Sequence, residues 1–294
     1  MHRRPPRLLF GSLAACVSAL GLLAALGPAA GASASPSASG SPSASASPSV
    51  SAAAAARAAL ERLAIGQHGS DHRVPGPAPR IKGLTQVQST NWSGYADTGS
   101  GYAAVTGKWT EPSASCTSQT SLAAFWVGID GFSSGSVEQD GTLVQCYLGT
   151  AYYYTWWEMY PSNAIQVVGQ TLRPGDKITA SVVRSGASYT LKVTDASRSG
   201  DSFSTTQSCS GCANSSAEWI AEAPSGSAGV YPLSDFHSWG LNSATVKAGS
   251  RSGVISTFPD DEITMADSSG NTEAKPGALN SGGNAFTVTW QRST

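Results

Sequence analysis

Three short stretches of the chain each set a carboxylate among aromatic rings. In Tyr152-Tyr153-Tyr154-Thr155-Trp156-Trp157-Glu158-Met159-Tyr160, the aromatic and β-branched content predicts a strand. Strand side chains alternate between faces. Tyr152, Tyr154, Trp156, Glu158 and Tyr160 then share one face, and Tyr153, Thr155, Trp157 and Met159 form an ordinary core face. In Ala217-Glu218-Trp219-Ile220-Ala221-Glu222-Ala223 the same alternation puts Glu218, Ile220 and Glu222 opposite Trp219. In Phe125-Trp126-Val127-Gly128-Ile129-Asp130-Gly131 it puts Trp126 and Asp130 opposite Phe125, Val127 and Ile129. Tyrosine and tryptophan have polar tips suited to a wet groove. One acid on such a face reads as a solvated side chain, whereas the same pattern on three strands points to the floor of a cleft in which carboxylates do chemistry.

Elimination narrows that chemistry. From Gln88 onward the only histidine is His237. Asp235-Phe236-His237 offers a base with a partner, but no Gly-x-Ser-x-Gly turn presents a serine, so His237 is read as a loop or cap residue. There is no phosphate-binding P-loop. A zinc site would need more than one CxxC and one histidine, so neither metal nor cofactor is expected. Carboxylates remain. Glu158 and Glu218 flanking a sugar would make a glycoside hydrolase with rings as stacking platforms. One carboxylate with a neutral amide donor would make a water-activating peptidase. A groove without chemistry would be a carbohydrate- or protein-binding module. Spacing alone leaves all three open.

The elements that must hold these groups are strands. From Asn91 the chain runs in short alternating segments separated by Gly, Ser, Asn and Pro. They include Ala123–Ile129, Val144–Leu148, Lys177–Val183, Tyr189–Val193, Glu218–Ala223, Gly253–Phe258 and Ala285–Trp290. That pattern predicts an all-β, antiparallel two-sheet β-sandwich. All eight Trp and nine Tyr lie from Trp92 onward, which leaves about 200 residues for one domain, residues 88–294. Charged residues are 13% of the chain, against about 25% in typical domains.

The first 87 residues read differently. Residues 1–32 open with Arg3, Arg4 and Arg7, continue through an apolar run from Leu8 to Leu26 and end at Ala30-Gly31-Ala32. This is the pattern of a signal peptide, so a secreted, extracellular protein is expected. No second apolar segment comes after it that would anchor it in a membrane. Residues 33–51 are a Ser/Ala/Pro linker too poor in large apolar groups to order. Ala52 to Ile65 predicts one helix with Leu60, Leu63 and Ala64 on one side and Arg57, Glu61 and Arg62 on the other. Pro75, Pro77 and Pro79 keep the helix from continuing beyond that region. Residues 33–87 carry a net charge of +3, while 88–294 hold ten basic and seventeen acidic residues, a net −7. Residues 52–87 are therefore read as a prosegment held partly by charge. The acidic domain has no basic footprint for nucleic acid, and a monomer is expected.

Loss of Cys16 with the signal leaves Cys116, Cys146, Cys209 and Cys212, an even number in an exported chain, which predicts disulfides. Three pairings are possible. Cys116 with Cys146 and Cys209 with Cys212 is favoured, because the short Cys209-Ser210-Gly211-Cys212 loop lets its ends meet.

Five motifs, in order, resemble the glutamic peptidases, or eqolisins. They are Asn91-Trp92-Ser93-Gly94-Tyr95, Trp126-Val127-Gly128-Ile129-Asp130-Gly131, Val137-Glu138-Gln139, Trp156-Trp157-Glu158-Met159-Tyr160-Pro161 and Ala217-Glu218-Trp219-Ile220-Ala221-Glu222. The resemblance implies a sandwich of the concanavalin A-like lectin/glucanase type and an exported endopeptidase working on polypeptides in acid, made with a prosegment. It also implies a dyad at Gln139 and Glu218, with Glu218 as general base and then acid, and Gln139 as oxyanion donor. Residue chemistry alone would have chosen Glu138 over its neighbour. Trp92, Trp126, Asp130, Trp156, Glu158 and Tyr160 are implied as substrate-binding residues.

Overall fold

The structure, a computed structural model, describes residues 50–63, 73–74, 80–81, 84–169, 171–226 and 229–293. The expected signal peptide, nearly all of the linker and most of the segment between residues 63 and 84 lie outside the described residues. Helix α1 runs Val50–Arg62, beginning two residues before the sequence pattern places it.

The remaining elements are strands. β1 (Arg73–Val74) and β2 (Arg80–Ile81) are short pairings on β3 (Leu84–Ser89), followed by β4 (Trp92–Thr98), β5 (Tyr102–Thr110) and β6 (Ser121–Asp130). Next come β7 (Val137–Tyr147), β8 (Thr150–Tyr160), β9 (Asn163–Gly169), β10 (Lys177–Ser185), β11 (Ser188–Asp195), β12 (Phe203–Ser208) and β13 (Ser216–Glu222). A small hairpin, β14 (Ser225–Gly226) with β15 (Gly229–Val230), precedes β16 (Ser238–Ala248) and β17 (Arg251–Gly253). The last strands are β18 (Asp260–Ala266), β19 (Thr272–Pro276) and β20 (Phe286–Trp290).

The ladders sort these strands into two layers. The larger sheet has the order β3-β18-β4-β13-β6-β7-β8-β9, antiparallel except at β3/β18. The smaller has the order β12-β11-β10-β5-β16-β20-β19. The β18–β19 hairpin joins them at one edge through Met265 and Ala274. This is the antiparallel sandwich that the alternating segments predict.

The two sheets are covered differently. Along β10 and β11 every second residue is buried, as expected of a sheet with one wet face. Along β6, β7 and β13 nearly every residue is buried, so the centre of the larger sheet is dry on both sides. Its inner face packs Tyr95, Phe125, Val127, Tyr153, Met159 and Trp219 against Trp109, Leu191 and Trp239 of the other sheet. Its outer face carries Trp92, Trp126, Leu143, Tyr154, Trp156 and Ile220, and helix α1 packs there through Ala56 and Leu60. A buried leucine of this kind contributes about 1.5–3 kcal/mol by burial. Arg57, expected on the solvent side of the helix, instead donates from Nη2 to the Val167 carbonyl at 2.9 Å, while Tyr231 Oη donates to the Leu63 carbonyl at 2.8 Å. The ion pair recorded for Arg57 is with Glu61 of its own helix.

Two strand boundaries differ from the sequence reading. The strand expected from Val144 begins earlier, and Asp140 and Gly141 lie inside the unbroken strand β7, because Gly141 lets the backbone of β6 approach at Phe125 and Trp126, where a β-carbon would collide. Gly253–Phe258 is not a strand. Ile255–Thr257 forms a tight turn in which the Thr257 hydroxyl accepts the Val254 N–H at 3.0 Å, a local bond that competes with a ladder. Both favoured disulfides are present, with Cα separations of 5.3 Å for Cys116–Cys146 and 5.7 Å for Cys209–Cys212.

Candidate active site

Register brings the sequence-predicted residues into one row. Glu218 on β13 is the partner of Gly128 on β6, Gly128 of Gln139 on β7, and Gln139 of Glu158 on β8. Directly paired residues share a face, so all four positions lie on the outer face of the larger sheet. With strands about 4.8 Å apart, the Cα atoms of Glu218 and Gln139 are separated by roughly 10 Å, and only a glycine stands between them. A β-carbon at Gly128 would lie 3.2 Å from the Gln139 β-carbon and 2.8 Å from the Trp126 ring. The missing side chain leaves room for the carboxyl and the amide to converge.

Glu218 is fully buried and neither carboxyl oxygen has a hydrogen-bond partner within normal geometry. Burial pushes its carboxyl well above the ordinary glutamate range. The nearby Ser216 hydroxyl opposes that shift, and the negative charges of Asp130, Glu138 and Asp97 add to it. Gln139 Nε2 donates to Glu158 Oε2 at 2.7 Å. The carboxyl oxygen thereby fixes which end of the amide donates and leaves one amide hydrogen for another acceptor. Glu138, one residue earlier, points into the inter-sheet core, where burial and then the Asp130 carboxylate push it up to about 9. Alternation thus separates two adjacent polar residues that sequence chemistry alone ranks in the wrong order for this face.

The rings form the next row along. Ile220, Trp126, Gly141 and Trp156 are successive partners across β13, β6, β7 and β8. Trp92 meets Trp126 edge to face, with ring centroids 5.0 Å apart at 78°. Tyr160 closes the β8 face at the strand end and is partly exposed. Asp130 behaves differently from the others. It takes a positive φ of 70°, and its carboxylate accepts the N–H groups of Asn214 and Ser215 at 2.7 Å and the Ser215 hydroxyl at 2.9 Å. Its side chain therefore secures the segment entering β13, the strand that carries Glu218.

Two residues of this face have no assigned role in the sequence reading. Glu222 shows a signal, since its spacing from Glu218 repeats the strand period twice. Asn91 shows none. Sequence reading also leaves His237 as a loop residue, yet its Nε2 lies 3.2 Å from Ser115 Oγ and its Nδ1 lies 3.2 Å from Asp235. This half-exposed trio ties two loops together. The Ser115 N–H, which would have to serve as an oxyanion donor, is already given to the Asp235 carbonyl.

Glu138, Cys209 and Cys212 are the one group of clustered metal-type donors among the described residues. Both sulfurs are cross-linked, so they have no thiolate to offer.

The all-β sandwich thus sets a carboxyl and an amide in one row with rings beside them, an arrangement of the kind that the five motifs imply. Comparison with known proteins agrees. Residues 90–290 match the peptidase A4 family. The chain is similar to aspergillopepsin-2 of Aspergillus niger, with 28% identity over 221 residues covering 66% of this chain and 78% of that protein. In fold it is similar to scytalido-glutamic peptidase bound to a transition state analog inhibitor, with a TM-score of 0.59 and 22% identity over 69% of this chain and 98% of the other. It is also similar to SCP-B, an eqolisin solved with a tripeptide, with a TM-score of 0.55 and 21% identity over the same shares of the two chains. The chain belongs to the peptidase A4 family, the glutamic peptidases or eqolisins. It is a peptidase, and its substrates are polypeptides.

Proposed function

We propose that the chain is the precursor of an exported endopeptidase that works in acid, with Glu218 and Gln139 as its catalytic pair. The observation that carries this reading is the shared row of Glu218, Gly128, Gln139 and Glu158. Ionised Glu218 takes a proton from a water molecule, whose oxygen attacks the scissile carbonyl. The remaining N–H of Gln139 holds the oxyanion, a role worth roughly 3–4 kcal/mol per donor. Collapse breaks the C–N bond, Glu218 returns its proton to the leaving nitrogen, and the carboxylate is regenerated. Glu158 orients the amide. Trp92, Trp126, Trp156 and Tyr160 line the peptide path, and the buried Trp92 Nε1, without a partner, supplies a donor to a substrate carbonyl.

Burial this deep favours the neutral form of the Glu218 carboxyl, which is not the form a general base needs. The shielded site is therefore the latent state, in which residues 52–87 act as a prosegment with α1 docked on the outer face. Opening hydrates Glu218 and relieves the burial that raises its pKa, which makes the carboxylate usable in acid, where histidine-based catalysts are silent. The glycoside hydrolase alternative is disfavoured. Glu158 and Glu218 stand three strands apart, roughly 14 Å between Cα atoms, and Glu158 spends an oxygen on Gln139.

The test is digestion of a denatured protein by the full chain after acidification to about pH 3, with a serine-peptidase inhibitor and a chelator present. Peptide release is expected. An inert protein, or one active only when the inhibitor or chelator is omitted, would contradict the reading.

A further inference from the structure

We infer that Glu222 is a positioning residue for peptide binding, holding the Trp126 and Trp92 wall of the cleft in place. The inference rests on the reading above that Trp126 contacts substrate. Glu222 is fully buried on β13, four residues and roughly 13 Å along the strand from Glu218, so it stands clear of the reacting atoms. Its Oε2 accepts Trp126 Nε1 at 2.8 Å and its Oε1 accepts Asn91 Nδ2 at 3.2 Å. Asn91 Oδ1 in turn accepts the Ser89 hydroxyl at 3.1 Å, and Ser89 Oγ accepts the N–H groups of Asn91 at 3.3 Å and Trp92 at 3.1 Å. Each polar atom of this relay is committed in one direction. A small cavity lined by Ser89, Asn91, Trp92, Gly131 and Phe132 opens beside it.

A buried acid is costly to desolvate, and an apolar side chain fills the equivalent place at Ile220 on the same strand. Packing alone therefore gives no reason for a carboxyl here. What the carboxyl secures is direction. It pins the indole plane of Trp126 against the edge of Trp92, and it pins the backbone leading into Trp92 through Asn91 and Ser89.

The hydrogen-bond polarity supplies the test. In Glu222→Gln one acceptor becomes a donor and must face either the Trp126 or the Asn91 donor. The double variant Glu222→Gln with Asn91→Asp restores a full set, since the carboxylate introduced by the second substitution accepts from the new amide while the amide oxygen still accepts Trp126. KM for a peptide should rise about tenfold in Glu222→Gln with kcat changed less than about twofold, and the double variant should return KM to within about twofold of the parent. In a Trp126→Phe background, Glu222→Gln should add nothing further to KM. A Glu222→Gln enzyme with parental KM, or a double variant with KM still raised, overturns the inference. So does an additive KM rise in the Trp126→Phe background. If Glu222→Gln does not fold, the double variant decides the matter by the same criterion. Unchanged KM in Trp126→Phe alone would remove the substrate contact and this inference with it, while inert Glu218→Gln and Gln139→Ala controls would show the dyad standing.

Discussion

The two faces of the larger sheet are both dry and both carry acids, but the acids are held differently. On the inner face Glu138, Asp97 and Asp140 are sealed between layers, together with Glu111 just past β5 of the other sheet, and burial pushes Asp97 and Glu138 up to about 9, Glu111 up to about 8 and Asp140 well above its ordinary range. On the outer face Glu158 and Glu222 hold neighbouring donors at hydrogen-bond distance, while Glu218 faces the space over Gly128 with both oxygens unpartnered. The inner acids belong to a finished core, where burial favours their neutral form. The outer pair Glu158 and Glu222 instead stands at hydrogen-bond distance from two amides and one indole, those of Gln139, Asn91 and Trp126.

The largest effects should come from breaking the outer row. Glu218→Gln and Gln139→Ala should each lower kcat by at least about a thousandfold while leaving the unfolding transition in place, in line with the loss of a general base or an oxyanion donor. Peptide cleavage at near-parental rate by either variant would remove that residue from the dyad. Gly128→Ala comes next. Its new methyl group would crowd the Gln139 β-carbon and the Trp126 ring, and kcat/KM should fall about 10- to 100-fold, the scale of a misplacement near 1 Å.

The inner acids should shape stability against pH. Below about pH 4 both folded and unfolded chains keep these protons, so burial of the carboxyls costs nothing in linkage. As pH rises from there toward 8–9, the unfolded chain releases protons that the folded chain retains. Each such group then lowers stability as pH rises. Denaturant midpoints should fall steadily from pH 4 to 8, and Asp97→Asn or Glu138→Gln should flatten that slope. A midpoint that holds constant over this range would contradict the assignment of buried neutral acids. The smallest effect expected is at the helix. Leu60→Ala should weaken α1 docking by about 2–5 kcal/mol and speed precursor conversion in acid, measured by mass over time, without changing the activity of the processed enzyme.

Much of this comparison is legible in the chain, because strand alternation is a local property. Tyr153 and Met159 do lie in the inter-sheet core and Tyr154 and Trp156 on the other face, as period two dictates. The cysteine pairing that loop length favours among three is the one present. Pairing across strands is not local. Nothing near Gln139 says that it will stand opposite Gly128 and Glu158, and nothing near Gly141 says that β6 will lie against it. Asp130 reads as one more acid beside a ring, and only the fold shows its carboxylate turned to Asn214 and Ser215. The charge difference between the two ends of the chain is legible too, but the contacts of α1 are not: Ala56 and Leu60 pack on the outer face, the Arg57 guanidinium reaches the Val167 carbonyl and the Tyr154 ring, and Tyr231 reaches the Leu63 carbonyl.

The most direct measurement is a crystal structure of the processed protein at acid pH, at a resolution that places ordered water. The account predicts one water within about 3.2 Å of both the Glu218 carboxyl and the Gln139 amide nitrogen, above Gly128. Glu218 and Gln139 hydrogen-bonded to separate partners, with no position from which a single water reaches both, would contradict it.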